Sequence, residues 1–343
     1  MKYNNHQLQQ TYLLSGSFTL ALRLVVGWTY FSAFWRRLIL ENKLIQDEAG
    51  YIGEKFNHFL PNALGIKPII EYLVSNPDAL WWAMVIFTII EAIVGLFIIL
   101  GLFTRLMSIG VLGLAMGILL GSGWLGTTCL DEWQIGILGM ATGFAIFFTG
   151  GGRYSLDSYL LKKNPFDRFK YSNWVMSGPL PIGERMMNKI LITGTAAIFF
   201  LTLFTNQYFH NGVWGKLHNK SVKPVVEISD AKLNNGNLLF TIFRVEGADV
   251  YGSFLIGIQL TDQNGNLIID KDGKSLSQFS ESDINNYYVA KVAPGKHSLI
   301  IPLGSKARLN IDDKKLENLA KGVYKLALTD ISGIIWTLSI NHQ

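Results

Sequence analysis

The hydrophobic positions divide this chain of 343 residues into two parts of different character. Up to about residue 205 it contains long apolar runs rich in Leu, Ile, Gly, Phe and Trp, and beyond that point polar and apolar residues alternate. Apolar runs of about 18 residues or more are typical of transmembrane helices. The pattern predicts five spans, at residues 18–40, 80–103, 106–121, 133–149 and 189–205.

The polar-apolar alternation from about Pro224 onward is typical of a β domain. Short β-rich runs such as NLLFTIFRV and GVYKLALTD are separated by the turn sequences NNGN, DQNGN, DKDG, APGK and DISG. About seven strands in roughly 120 residues predict an immunoglobulin-like sandwich. The predicted organisation is a four-helix membrane domain (1–165), a cytoplasmic loop with the fifth span (166–205), a linker (206–223) and an external β-sandwich (224–343).

Charged residues between the predicted spans indicate how the chain crosses the membrane. The segment between the fourth and fifth spans is rich in Lys and Arg, and the turn before the third span carries Arg105. The turn between the third and fourth spans carries Asp131 and Glu132 but no Lys or Arg. Because basic loops tend to stay in the cytoplasm, the N-terminus is predicted inside, and everything after Asn206 outside.

Composition and motifs indicate which partners and cofactors are to be expected. The net charge of +5 lies largely in loops, and the sequence contains no nucleic-acid-binding motif, so no nucleic-acid partner is expected. None of the six histidines is spaced as a metal ligand on one predicted element. The haem motif CxxCH and a flavin fingerprint are absent from the sequence. We therefore expect no metal, flavin or haem.

The single cysteine, Cys129, lies in the stretch GTTCLDEWQIG, within the turn predicted to be external. One cysteine excludes an internal disulfide. A small residue that packs at a helix end is one interpretation of Cys129, and a reactive thiolate is the other. The sequence leaves both open.

Ionisable side chains within the predicted spans are costly and are usually paired or functional. Arg23 falls in the first span and Glu91 in the second. These two spans are antiparallel, so the first interpretation is a structural Arg23–Glu91 pair. The second is that Glu91 delivers a proton to a bound ligand.

Arg36 and Arg37 end the first span on its predicted external side. They either contact lipid headgroups or form an anion site, since guanidinium groups hold a dianion in two-point geometry better than lysine does. Tryptophans also collect at the external ends of spans, where they form an interfacial belt or the wall of an apolar pocket. They are Trp35, Trp81, Trp82, Trp124 and Trp133.

Three segments resemble the DoxX-like family of four-helix membrane proteins. They are LRLVVGWTYF at 22–31, EAIVGLFIILGLFTRL at 91–106 and GGGRYSLDSYL at 150–160. The long loop after the first span and the CLDEW turn are similar to the DoxD branch, the membrane subunit of thiosulfate:quinone oxidoreductase. A fifth span followed by a β-rich domain resembles the DoxA partner of DoxD, fused to the C-terminus.

The resemblance implies that two thiosulfate anions become tetrathionate while a membrane quinone accepts two electrons. It also implies the bacterial inner membrane, with the β domain in the periplasm. Membrane lipid, quinone and thiosulfate are the expected partners, and a homo-oligomer or an association with another respiratory or sulfur-metabolism protein stays open. The expected catalytic residues are Cys129 and Glu91, and the expected substrate-binding residues are Arg36, Arg37, Trp35, Trp124 and Trp133. The alternative function is a non-catalytic membrane scaffold that presents the β-sandwich to a partner protein.

Overall fold

The computed structural model describes residues 5–126, 131–162, 171–234, 236–248 and 253–342. The chain forms two compact units. The first consists of Met1–Glu48, Trp82–Gly123 and Leu130–His218, and the second of Ala49–Trp81, Trp124–Cys129 and Asn219–Gln343. The loop after the first apolar helices therefore belongs to the same unit as the C-terminal β domain.

The first half of the chain is helical. Its helices are α1 (Asn5–Phe18), α2 (Leu20–Phe34), α3 (Ile52–Asn57), α4 (Lys67–Val74), α5 (Pro77–Leu100), α6 (Thr104–Ser122), α7 (Asp131–Thr149), α8 (Leu156–Lys162), α9 (Ser172–Val175) and α10 (Glu184–His210). A π-helical turn, Trp35–Leu40, continues α2.

Three helices in the described part of the chain, α5, α6 and α10, are long and apolar enough to cross a membrane. The α1–α2 pair adds a fourth span if its two helices, which are bent by 54°, count as one. The predicted helical membrane class is confirmed, but with fewer spans than the five expected. The helix that differs is α7, which begins with the acidic residues Asp131 and Glu132 and therefore has a shorter apolar stretch.

Glycines allow the apolar helices of the first unit to approach closely. A Cβ on Gly27 of α2 would lie 2.7 Å from the side chain of Ile99 on α5, and a Cβ on Gly95 of α5 would collide with the backbone nitrogen of Phe31. Small residues let helix backbones approach in this way where lipid provides no hydrophobic driving force. Both glycines lie in the segments that carry the DoxX-like resemblance, so these segments fix the crossing of α2 with α5.

In the residues that the structure describes, the second half of the chain forms ten strands and one short α-helix. They are β1 (Val225–Asn234), β2 (Asn237–Glu246), β3 (Ser253–Thr261), β4 (Leu267–Asp272), α11 (Gly273–Ser277), β5 (Ile284–Asn286), β6 (Ala293–Pro294), β7 (Leu299–Ile301), β8 (Lys306–Asp312), β9 (Gly322–Asp330) and β10 (Ile335–His342).

The strands form two antiparallel sheets. One has the order β1-β2-β8-β5, and the other β10-β9-β3-β7-β6, with β4 also paired to β3. Phe240, Ile258, Leu309 and Leu326 are fully buried in a common apolar core. The predicted all-β domain is confirmed. The predicted run HSLIIPL contains β7, whereas β5, β6 and β8 were not predicted. β5 and β6 have only three and two residues, and β8 (KARLNID) was missed although its apolar and polar residues alternate, so the strand count in the described residues exceeds the predicted seven.

Candidate functional site

A buried ion pair joins the end of the first apolar helix to α5. Arg37, in the π-helical turn, donates from Nη1 to Oε2 of Glu91 at 2.6 Å and to Oγ1 of Thr88 at 3.0 Å. π-helical turns are rare and frequently occur at functional sites. The turn here contains Trp35, Arg36 and Arg37, so three of the predicted binding residues lie on one short segment.

The carboxylate of this pair and the adjacent threonine are shielded from solvent. Glu91 is 4 % exposed and Thr88 is fully buried. Thr88 donates its hydroxyl to the carbonyl of Met84, one turn earlier on α5, while it accepts from Arg37. The guanidinium carbon of Arg37 also lies 5.8 Å from the centre of the Phe87 ring. A carboxylate buried in an apolar helix requires such a partner, because an unpaired buried charge is strongly destabilising.

The expected Arg23–Glu91 pair is corrected by the structure, because the arginine that binds Glu91 is Arg37. Arg23 instead donates to the carbonyl oxygens of Gly151 and Tyr154. The reason is helix register. Since Gly27 meets Gly95 where α2 and α5 cross, Arg23 and Glu91 are offset by about eight residues along the axis, which is about 12 Å.

The remaining predicted binding residues have different settings. Arg36 is exposed, and its Nε donates to the carbonyl of Ser32 at 3.2 Å. The ring of Trp35, which is 40 % exposed, lies 6.0 Å from that of Phe31. These two side chains are therefore accessible beside the buried pair.

The two other tryptophans serve as hydrogen-bond donors within their own units. In the first unit, Trp133 of α7 donates from Nε1 to Oγ1 of Thr205 on α10 at 2.9 Å. In the second unit, Trp124 is fully buried and donates to the carbonyl of Phe59 at 3.2 Å. The structure thus ties both indoles to neighbouring segments. Cys129 lies outside the described residues.

A second buried carboxylate, Asp157, belongs to the GGGRYSLD segment. It accepts hydrogen bonds from the backbone nitrogens of Phe103, Thr104 and Ser177 and from the hydroxyls of Thr104 and Ser177, at 2.7 to 3.0 Å. Thr104 begins α6 and Phe103 directly precedes it, at a helix start where free N–H groups and the helix dipole favour a negative charge. Asp157 is therefore a cap that joins α6 to the segments around α8 and α9.

Arg105 is fully buried beside this cap. Its guanidinium donates to the carbonyls of Phe147, Asn173, Met176 and Gly178. Carbonyl groups satisfy the donors of Arg105 in this arrangement, and its role is to join α6 to the end of α7 and to the segment around α9.

Sequence reasoning did not identify Thr88 as part of the Glu91 site, although its position three residues before Glu91 on one helix face was a usable signal.

Long apolar helices with buried charges, followed by a two-sheet β domain, define a membrane protein with an appended β domain. Residues 18–183 match the family described as TQO small subunit DoxD, and residues 209–339 match the family described as TQO small subunit DoxA. The chain thus contains a DoxD domain followed by a DoxA domain, as the resemblance predicted, and both families are small subunits of thiosulfate:quinone oxidoreductase (TQO). No solved structure matches the chain.

Proposed function

We propose that this chain is a thiosulfate:quinone oxidoreductase of the membrane. In the proposed reaction two thiosulfate dianions, one quinone and two protons give one tetrathionate dianion and one quinol. The observation that carries the proposal is the buried Arg37–Glu91 pair, beside the exposed Arg36, in the domain that matches the DoxD small subunit. This arrangement offers a cation to an anionic substrate and a protonatable group to a quinone.

Arg36 and Arg37 have different roles in this proposal. Arg36 is exposed, so it receives the thiosulfate dianion with its guanidinium fork. Arg37 is mostly buried against Glu91 and Thr88, so it holds the carboxylate in place and adds positive charge behind the anion. Trp35, on the same turn, offers an accessible ring against which the quinone packs in this proposal.

Glu91 is the proposed proton donor. Reduction of a quinone to a quinol requires two protons, and a positioned carboxylic acid can deliver one of them to a quinone oxygen. Its burial in an apolar helix supports this role, because intramembrane acids commonly serve proton transfer. After each turnover Glu91 is reprotonated from solvent.

The sulfur chemistry has two routes. In the first, the Cys129 thiolate and one thiosulfate form a Cys–S–S–SO3 species while two electrons pass to the quinone. A second thiosulfate then attacks the sulfane sulfur, which releases tetrathionate and regenerates the thiolate. In the second, the sulfane sulfur adds to the quinone ring, and the second thiosulfate removes it as tetrathionate, leaving the quinol after protonation. The second route requires only orientation and charge neutralisation.

The variant Cys129→Ser separates these routes in the purified protein with a soluble quinone analogue. Loss of thiosulfate-dependent quinone reduction is expected for the thiol route, and full activity eliminates it. The same cysteine tests the proposed topology, because it is the only one in the chain. A membrane-impermeant thiol reagent should label it in intact cells if its turn lies in the periplasm, as we propose for the β domain as well. Labelling only after the membrane is opened would refute that orientation.

The decisive assay is thiosulfate-dependent reduction of a quinone analogue by the purified protein, with tetrathionate measured as the product. Two moles of thiosulfate consumed for each mole of quinol support the proposal. A protein that contains bound quinone but produces no tetrathionate would have a different electron donor. A protein that neither binds quinone nor reduces it fits the scaffold alternative.

A further inference from the structure

The loop Ala49–Trp81, which includes α3, α4 and the first residues of α5, belongs to the unit of the DoxA domain, although it lies within the DoxD part of the sequence. This loop, Ala49–Trp81, is below the size of about 40 residues at which chains can bury a core of their own. Its apolar residues Leu60, Ile70, Val74 and Leu80 are nonetheless 0 to 1 % exposed. The loop is therefore too short to bury these side chains by itself.

Asn57, at the end of α3, is the central polar contact of this loop. It is fully buried. Its Nδ2 donates to the carbonyl of Gly304 at 2.7 Å, and its Oδ1 accepts from the backbone nitrogen of Ala290 at 3.4 Å. The fit at Gly304 is tight, because a Cβ there would collide with the backbone carbonyl oxygen of Asn57.

Helix α4 makes a second set of contacts with the same part of the β domain. The carbonyl of Val74 accepts from the backbone nitrogen of Val289 at 3.1 Å. The hydroxyl of Tyr288 donates to Oε1 of Glu71 at 2.8 Å. Burial, together with this hydrogen bond and the charge of Glu71, raises the pKa of Tyr288. The hydroxyl therefore stays protonated and able to donate through the physiological pH range.

Asn62 makes a third set of contacts with the β domain and the segment before it. Its Nδ2 donates to the carbonyl of Val245 at 2.9 Å, and its Oδ1 accepts from Nζ of Lys220 at 3.1 Å. The turn after α6 contributes as well, since the nitrogen of Gly126 donates to Oγ of Ser221 at 3.0 Å. Contacts thus reach the β domain and the segment before it from two separate connections of the DoxD domain.

We propose that the loop Ala49–Trp81 is a docking surface that holds the DoxA domain noncovalently, so that the association does not require the covalent linker. Both matched families are described as small subunits, and a subunit needs such a surface. The fully buried Asn57, with both hydrogen bonds directed to the β domain, fits a permanent interface better than a transient one. The proposal concerns assembly and is independent of the proposed reaction.

The test uses the full chain with a cleavable linker. Residues 211–218 are exposed, and the backbone at Gly215 has open space around it. A recognition sequence for a specific protease, inserted between Gly215 and Lys216, allows the purified protein to be cut in detergent. Size-exclusion chromatography then measures how much of the β domain still elutes with the membrane helices. Retention of most of it is expected, and prompt release from the otherwise unchanged protein would overturn the proposal.

Variants of the cleavable protein test whether this surface is what retains the β domain after cleavage. Asn57→Ala leaves the carbonyl of Gly304 and the nitrogen of Ala290 unpaired, and Tyr288→Phe removes only a hydroxyl. Tyr288→Phe should accelerate release about tenfold, the effect of losing roughly one buried hydrogen bond, and Asn57→Ala, which loses two, should accelerate it more. Asn76→Ala is the matched control, because Asn76 is exposed on the same loop and bonds to Tyr72 within it.

The uncut variants must elute as single peaks before cleavage, so that release is not confused with misfolding. If Asn57→Ala fails this requirement, Tyr288→Phe decides alone, since it keeps the ring in place. Release of all variants at the rate of the Asn76→Ala control would overturn the proposal. A faster release of Tyr288→Phe, with the control unchanged, supports it whether or not the protein oxidises thiosulfate.

Discussion

Glu91 and Asp157 are buried carboxylates of the same helical unit, at 4 % and 0 % exposure, but their partners differ. Asp157 accepts five hydrogen bonds, three from backbone nitrogens and two from hydroxyls. Within the described part of the chain, Glu91 accepts one, from Arg37. One carboxylate is thus saturated by neutral donors at a helix start, and the other is balanced by a single cation.

This difference separates a structural charge from one available for chemistry. A carboxylate that accepts hydrogen bonds from several backbone nitrogens cannot exchange a proton or a partner without disrupting the surrounding backbone. A carboxylate held by one guanidinium can do so, because only one interaction has to change. The comparison therefore predicts that substitution of Asp157 affects folding, whereas substitution of Glu91 affects activity.

The largest expected effect is that of Asp157→Asn on stability. The amide can direct its oxygen toward the four donors that Oδ2 accepts, but its NH2 group then faces the backbone nitrogen of Phe103, which loses its acceptor. The negative charge that strengthens all five hydrogen bonds is lost as well. We expect a cost of about 3 kcal/mol or more. The measurement is the melting temperature in detergent and the yield of monodisperse protein. Arg153→Gln, an exposed change in the same segment, is the control and should melt like the wild type. Equal melting of Asp157→Asn would remove the distinction between the two carboxylates.

Glu91→Gln tests the prediction that Glu91 affects activity more than folding. The amide still accepts a hydrogen bond from Arg37, so the protein should fold, with a smaller loss of melting temperature than Asp157→Asn. Because the amide cannot donate a proton to quinone, turnover in the tetrathionate assay should fall about 100-fold or more. Asp78→Asn, an exposed change in the first turn of the same helix, should retain activity. Unchanged turnover in Glu91→Gln would exclude Glu91 from proton transfer.

The two neighbouring arginines should differ in kinetics. Arg36→Gln should raise the KM for thiosulfate about tenfold, the effect of roughly one charge-assisted hydrogen bond, while kcat stays close to normal. Arg37→Gln removes the partner of Glu91, so it should lower kcat as well. Arg185→Gln, an exposed arginine at the start of α10, is the matched control. Identical kinetics for the Arg36 and Arg37 variants would contradict the division of roles.

Sequence periodicity was sufficient for the two-part architecture, because membrane helices and alternating strands leave strong local patterns. It also located the two ionisable residues in the apolar helices. It failed on the partner of Glu91, since that depends on the register of two helices and not on depth alone. The register is set by the approach of Gly27 to Gly95, and no property of Arg23 itself reveals it.

Long-range contacts account for the other differences. No local pattern assigns Ala49–Trp81 to the unit of the β domain, because this depends on hydrogen bonds such as Asn57 to Gly304, between residues 247 positions apart. Asp157 likewise contacts α6 across about fifty residues of chain. A local stretch of sequence never contains both partners of such a pair.

The smallest expected effect on stability comes from a partly exposed acid. It shows how little a carboxylate contributes to this fold when it is not fully buried. Asp313 caps a short 3-10 turn by accepting from the nitrogen of Lys315, and it pairs with Lys271 at 3.4 Å. These interactions, of which the backbone hydrogen bond is the largest, lower the pKa of Asp313. A lowered pKa stabilises the folded state at pH values above the unfolded pKa, and this stabilisation is lost as the pH falls through the folded value.

Asp313→Asn keeps a capping oxygen and removes only the charge, since Asn caps about as well as Asp. Because both partners of this pair are partly exposed, solvent screens it, so the loss at neutral pH should be below about 1 kcal/mol. The melting temperatures of wild type and variant should converge as the pH falls below about 4, where the ordinary carboxyl is protonated. A loss at neutral pH as large as that of Asp157→Asn would mean that burial and hydrogen-bond saturation do not determine how strongly a carboxylate supports this fold.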